Sequence, residues 1–145
     1  MADQTTSSIV IDAPAAEVMA VIADFESYPQ WVQGMKRVEV VARSDDGTVE
    51  QVAFDLEAMP IKDSYTLAYD WHGQDDVSWH LVEGRMLSAM EGSYQLRPVG
   101  VGTEVTYRLE VDVSIPMIGM LKRRAEKVIV DTALKGLKKR VETSR

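Results

Sequence analysis

The sequence predicts an α+β domain in which a strongly curved antiparallel sheet wraps around one long C-terminal helix. Two observations predict it. The elements read in the order strand, two short helices, six strands, long helix. The strands also alternate, with large apolar residues on one side and polar ones on the other. One sheet face must therefore be covered, and the long helix is the only element large enough to cover it.

Each element has a local cause. Thr5 to Ile11 is rich in β-branched residues and hydroxyls and reads as the first strand. Asp12-Ala13-Pro14 then marks a helix start, with proline at the first turn. Val18, Val21, Ile22 and Phe25 follow at helical spacing, so Pro14 to Ala23 is the first helix. Phe25 to Trp31 forms a second short helix, because Pro29 prevents simple continuation of the first. From Met35 the period becomes two. Val38 and Val40 lead to a turn at Asp45-Asp46-Gly47. Val52, Phe54 and Leu56 alternate next, until Met59-Pro60 breaks the strand. Tyr65, Leu67, Tyr69 and Trp71 alternate with Ser64, Thr66, Ala68 and Asp70, and His72 to Asp75 form a loop. Trp79 and Leu81 precede Glu83-Gly84, which suits a two-residue hairpin. That register opposes Leu81 to Met86 and puts Met86, Ser88, Met90, Gly92, Tyr94 and Leu96 on the side of Trp79. After the turn at Pro98 to Gly102, Val105, Tyr107, Leu109, Val111 and Val113 close the sheet. Pro116 opens the long helix, which runs to about Val141 and spans nearly 40 Å at about 1.5 Å per residue. Its expected apolar stripe holds Ile118, Leu121, Ala125, Val128, Ile129 and Thr132, then shifts toward Val130, Leu134, Leu137 and Val141. Gly136 within it implies close packing against the sheet.

A chain of 145 residues with no interrupting linker or repeat fits one domain, residues 1–145. It has no cysteine, so disulfide and thiolate chemistry are excluded. Met1 to Ser8 lacks the basic start and apolar run of a signal peptide, and no stretch is apolar for long enough to span a membrane. A cytoplasmic location is expected. The formal charge of −7 argues against nucleic acid as a partner. That charge is uneven: residues 116–145 carry nine Lys/Arg and three Asp/Glu, against seven and twenty in residues 1–115.

The inward side of the strands holds Phe54, Tyr65, Tyr69, Trp71, Trp79, Tyr94 and Tyr107, seven of the ten aromatic residues. Rings with polar tips can fill a core or line a cavity and orient a guest. Met86 and Met90 lie among them and adapt to varied apolar partners. These aromatic residues, with Met90 and with Leu121 of the long helix, form the expected ligand-binding set. In mid-strand the inward set contains no His, Lys, Arg or Glu, and Asp63 is its one carboxylate, near a strand start. No catalytic residue is assigned. A catalytic alternative would have to use Asp63, Tyr65 and Tyr94. His72 and His80 follow Trp71 and Trp79, but their spacing matches no metal site, and no cofactor motif occurs.

Four segments carry a resemblance. Ile9-Val10-Ile11-Asp12-Ala13-Pro14-Ala15-Ala16-Glu17-Val18 resembles the opening of the START-like (SRPBCC) superfamily. Asp24-Phe25-Glu26-Ser27-Tyr28-Pro29-Gln30-Trp31 resembles its second helix motif, and Glu91 to Leu96 with Gly102 to Tyr107 resemble its paired late strands. The match spans nearly the whole chain and looks nearest the bacterial polyketide cyclase/dehydrase branch, near the coenzyme-Q-binding proteins. The resemblance implies a helix-grip fold: a seven-stranded antiparallel sheet gripping the C-terminal helix, two short helices after strand 1, and a cavity between sheet and helix. The function expected is binding or carriage of a hydrophobic small molecule: a lipid, an isoprenoid quinone or a polyketide-like aromatic. A polyketide cyclase/dehydratase acting in the same cavity is the alternative. The way in is expected among Met59-Pro60, His72-Gly73 and Pro116 to Met120. Beside that apolar helix start lie Lys122, Arg123 and Arg124, which would suit peripheral contact with an anionic membrane.

Overall fold

The computed structural model describes residues 5–58, 61–73, 75–114 and 119–143. Strand β1 (Thr5–Ile11) leads into helix α1 (Ala15–Ala23), a single 3-10 turn (Phe25–Ser27) and a short helix α2 (Tyr28–Trp31). Six strands follow: β2 (Met35–Arg43), β3 (Val49–Ala58), β4 (Ile61–Trp71), β5 (Asp76–Glu83), β6 (Leu87–Val99) and β7 (Gly102–Val113). Helix α3 (Gly119–Thr143) closes the chain. Met59-Pro60 and residues 115–118 lie outside the described residues, so the strand break and helix start expected there are not described. All seven strands form one antiparallel sheet in the order β1-β7-β6-β5-β4-β3-β2. This is the helix-grip arrangement, with α3 packed mainly across β1 and β7.

Two readings of register are corrected. His80 pairs with Glu91 and Trp79 with Gly92, whereas a two-residue turn at Glu83-Gly84 would have put His80 opposite Leu87. The strands slip by an even number of residues, so Met90, Tyr94 and Leu96 stay on the face of Trp79. A bulge between Leu87 and Ala89 then reverses the local alternation: Leu87 is buried and Ser88 exposed. Further irregularities in the β2/β3 and β4/β5 ladders help the sheet bend around its contents.

The stripe of α3 is also displaced from expectation. The buried residues are Ala125, Glu126, Val130, Ala133, Leu134, Leu137 and Val141, while Leu121 and Val128 are exposed. Glu126 is responsible. It is 0% exposed, accepts a hydrogen bond from Thr5 Oγ1 at 2.9 Å and another from the Val111 backbone N–H at 2.8 Å. Among the described residues the β1 ladder ends at the pair Thr5 with Leu109, and the Val111 N–H beyond it is satisfied by the Glu126 carboxylate. At the other end of α3, Lys138 Nζ donates to the Val10 carbonyl at 2.8 Å and Glu142 accepts from the Asp12 N–H at 2.9 Å. Gly136 faces the chain end of α2 and not the sheet: a Cβ there would stand 2.6 Å from the Trp31 carbonyl oxygen.

Candidate functional site

Strand register brings the inward aromatic residues together as cross-strand pairs. Phe54 faces Tyr65 with ring centres 5.4 Å apart, Tyr69 faces Trp79 at 5.6 Å, and Tyr94 faces Tyr107 at 4.6 Å. Trp79 also packs on Tyr94 at 5.3 Å and on the edge of Tyr107 at 5.6 Å. Its indole lies directly over Gly92, where an added Cβ would approach the ring to 2.5 Å. A bare strand position opposite a large ring is what lets the ring lie flat on the sheet.

Between these rings and α3 is a cavity of about 80 Å³. The sheet contributes Phe54, Leu56, Tyr65, Leu67, Tyr69, Trp79, Met90, Tyr94 and Tyr107. Tyr28 enters from α2, Val32, Gln33 and Met35 from the segment after it, and Val128, Ile129, Thr132 and Ala133 from α3. Among the described residues, no charged side chain lines it. Exposed Gln33 and Val128 mark where it reaches the surface, between the start of β2 and the middle of α3. That mouth differs from the expected one: His72 and Gly73 do not line the cavity, and Met59-Pro60 and residues 116–118 lie outside the described residues.

All five tyrosines of the chain belong to this lining. The Tyr28 hydroxyl donates to the Ile22 carbonyl. Burial pushes the hydroxyls of Tyr28, Tyr65, Tyr69, Tyr94 and Tyr107 well above the ordinary phenol range. For Tyr69 the neighbouring phenols Tyr28, Tyr65, Tyr107 and Tyr94 push the same way, as negative charge on several close hydroxyls is mutually unfavourable. The cavity is thus apolar, neutral and tipped with protonated hydroxyls.

Of the expected ligand-binding set, Phe54, Tyr65, Tyr69, Trp79, Met90, Tyr94 and Tyr107 line the cavity. Trp71 and Leu121 do not. Trp71 sits at the end of β4, packs on Phe25 and donates its indole N–H to the Val49 carbonyl at 2.8 Å. Leu121 is 38% exposed, because Glu126 sets the phase of the helix. The residues missed are Leu56 and Leu67 of the sheet, which the alternation does place inward, and those of α2, its following segment and α3. A four-residue helix shows no period from which a facing side can be read, and the motif that contains Tyr28 marks the helix without giving its facing side.

Asp63 is buried but does not line the cavity. Its carboxylate accepts the backbone N–H groups of Arg85, Met86 and Leu87 at 2.9–3.2 Å, and so builds the β5–β6 turn. The catalytic alternative thereby loses its one inward carboxylate. His72 and His80 are exposed, and His72 shares a hydrogen bond of 3.2 Å with Ser78.

Residues 2–142 match the family described as polyketide cyclase / dehydrase and lipid transport. The chain belongs to that family. Its solved relatives share the fold over almost the whole chain. A START superfamily protein from Mycobacterium smegmatis is 24% identical, with a TM-score of 0.91 over 98% of this chain and 99% of that one. A protein from Thermus thermophilus is 26% identical, with a TM-score of 0.85 over 98% and 99%. The Zhui aromatase/cyclase from Streptomyces sp. R1128 is 13% identical, with a TM-score of 0.81 over 98% and 94%. Among curated proteins, none matches the sequence. The family description spans both catalysis and transport, so membership leaves the choice between them to the cavity.

Proposed function

We propose that this chain binds and carries a hydrophobic small molecule in the cavity between sheet and α3, without transforming it. The observation that carries the reading is the lining: aromatic, apolar and hydroxyl-tipped, with no charged side chain among its described residues. General acid–base catalysis needs a titratable group within reach of the substrate. Asp63, the carboxylate nearest that role in the sequence, is engaged by three backbone N–H groups of a turn. The tyrosines are held in their protonated form by burial, which suits recognition better than proton removal.

A cyclase/dehydratase is the second reading, favoured by the family description and by the shared fold with an aromatase/cyclase. Native mass spectrometry after mild purification separates the two. A carrier retains a stoichiometric apolar species that is recovered chemically unchanged after incubation. Turnover of an added polyketide-like substrate by the wild type, lost in Tyr65→Phe or Tyr94→Phe, would establish the enzyme instead.

Contact with an anionic membrane through Lys122, Arg123 and Arg124 belongs to the same proposal. Lys122 is tied to Asp112 at 3.0 Å, and Met120 beside the basic cluster is 73% exposed. Sedimentation with anionic but not neutral liposomes, reversed by salt, is the expected behaviour. Equal sedimentation with both would leave carriage in solution only.

A further inference from the structure

We infer that the cavity takes only the head of its ligand: a single neutral ring bearing a hydroxyl or carbonyl, inserted head first, with any longer chain left outside at the mouth. The inference rests on the binding reading above and adds the chemical class and the orientation of the guest.

Size comes first. Ordinary small-molecule pockets occupy about 300–1,000 Å³. An engineered apolar cavity of about 150 Å³ admits benzene. At about 80 Å³ this cavity has no room for an acyl or isoprenoid chain, and a single ring fits only by extending into the mouth. Polarity gives the direction. The phenols of Tyr65, Tyr94 and Tyr107 are buried, whereas the mouth holds exposed Gln33 beside Val32, Met35 and Val128, the last 46% exposed. The buried hydroxyls offer partners to a polar head inside, and the apolar groups beside Gln33 at the mouth can pack a chain left outside. The exposed apolar surface continues from the mouth: Leu121 lies seven residues before Val128 on the same face of α3, about 10 Å away along the axis. Charge sets the class. A carboxylate or phosphate head would enter a desolvated space with no cation among its described lining residues. A neutral hydroxyl or carbonyl meets phenols that both donate and accept.

The test is calorimetric titration of the full chain with three matched series: 4-alkylphenols, alkylbenzenes and 4-alkylbenzoates, each carrying two to nine chain carbons. The phenols are expected to bind at least about threefold to tenfold more tightly than the alkylbenzenes, the value of one or two net hydrogen bonds. The benzoates should show no binding at pH 8, and lengthening the chain should not abolish binding of the phenols. Tyr94→Phe and Tyr107→Phe, which keep the rings, should each shrink the preference of phenol over alkylbenzene. Equal affinity of phenols and alkylbenzenes, or binding of the benzoate anions, overturns the head-first inference while leaving hydrophobic binding intact. Failure of phenols and alkylbenzenes alike to bind overturns the binding reading itself, and this one with it.

Discussion

Asp63 shows how a residue can have the right chemistry and orientation for one role and be occupied by another. Its parity on β4 points it inward, as the alternation of that strand requires, and it is only 7% exposed. Yet both carboxylate oxygens face the turn after β5. Hydrogen bonds to a charged acceptor contribute about 1.5–3 kcal/mol each, and they are not additive when they share one group. Asp63→Ala should therefore destabilise the fold by about 3 kcal/mol and loosen the β5–β6 turn, with ligand affinity nearly retained. Urea unfolding alongside a binding titration checks this; a stable variant that no longer binds would return Asp63 to the site. Sequence parity finds the direction of this side chain but not its partners, because a two-residue hairpin at Glu83-Gly84 leaves no place for the turn that recruits it. Trp71 is a similar case: it faces inward by alternation, but the strand carries it past the end of the cavity to the Val49 carbonyl.

At the scale of elements, the strands are legible in the sequence and the long helix is misphased, for one physical reason. A sheet with one covered face prints a two-residue period on its sequence, and β3, β4 and β7 keep it. A helix is phased by counting apolar side chains, and that count fails when the centre of the buried face is a carboxylate. Glu126 takes that place in α3, so Leu121 and Val128 count as inward and are exposed. Gly136 marks the second contact of the helix. Alanine is about 1 kcal/mol better than glycine in a helix interior. Gly136→Ala should nevertheless destabilise the protein, because the new methyl group meets the Trp31 backbone oxygen at 2.6 Å. A net loss of about 1–3 kcal/mol by thermal and chemical unfolding is expected, with the α2–α3 packing disturbed; a gain in stability would mean that α2 can back away freely.

For the whole molecule, Glu126 is the point where first strand, last strand and last helix meet, through Thr5 and Val111. Removing it with Glu126→Ala strands a buried N–H, at a cost of about 1–3 kcal/mol, and frees the helix from its phase. Glu126→Gln keeps an acceptor and should cost less. Amide hydrogen exchange should then show faster opening of β1 and β7 together in the alanine variant, and unchanged exchange in β3 and β4. Acceleration spread evenly over all strands would mean that Glu126 supports the core at large and not this junction. The general architecture is readable because its parts differ in period. The cavity is only half readable, because its second wall is built from α2 and α3. Their facing sides depend on contacts between residues far apart in the chain, as Thr5 and Glu126 are.

The pairing of β1 with β7 also bears on the order in which the protein can be made. Residues 5–11 find their partners in residues 103–109. A ribosome adding about 5–20 residues per second leaves the first strand waiting about 5 to 20 s for its mate. During that interval its amide edge is open to any other extended chain. The strand divides in two: Thr5, Thr6, Ser7 and Ser8 occupy its first half, and Ile9, Val10 and Ile11 are the apolar residues that need cover. Hydroxyl side chains keep the first half of the unpaired segment wetted, so the newborn chain holds its first strand ready until its seventh has been made.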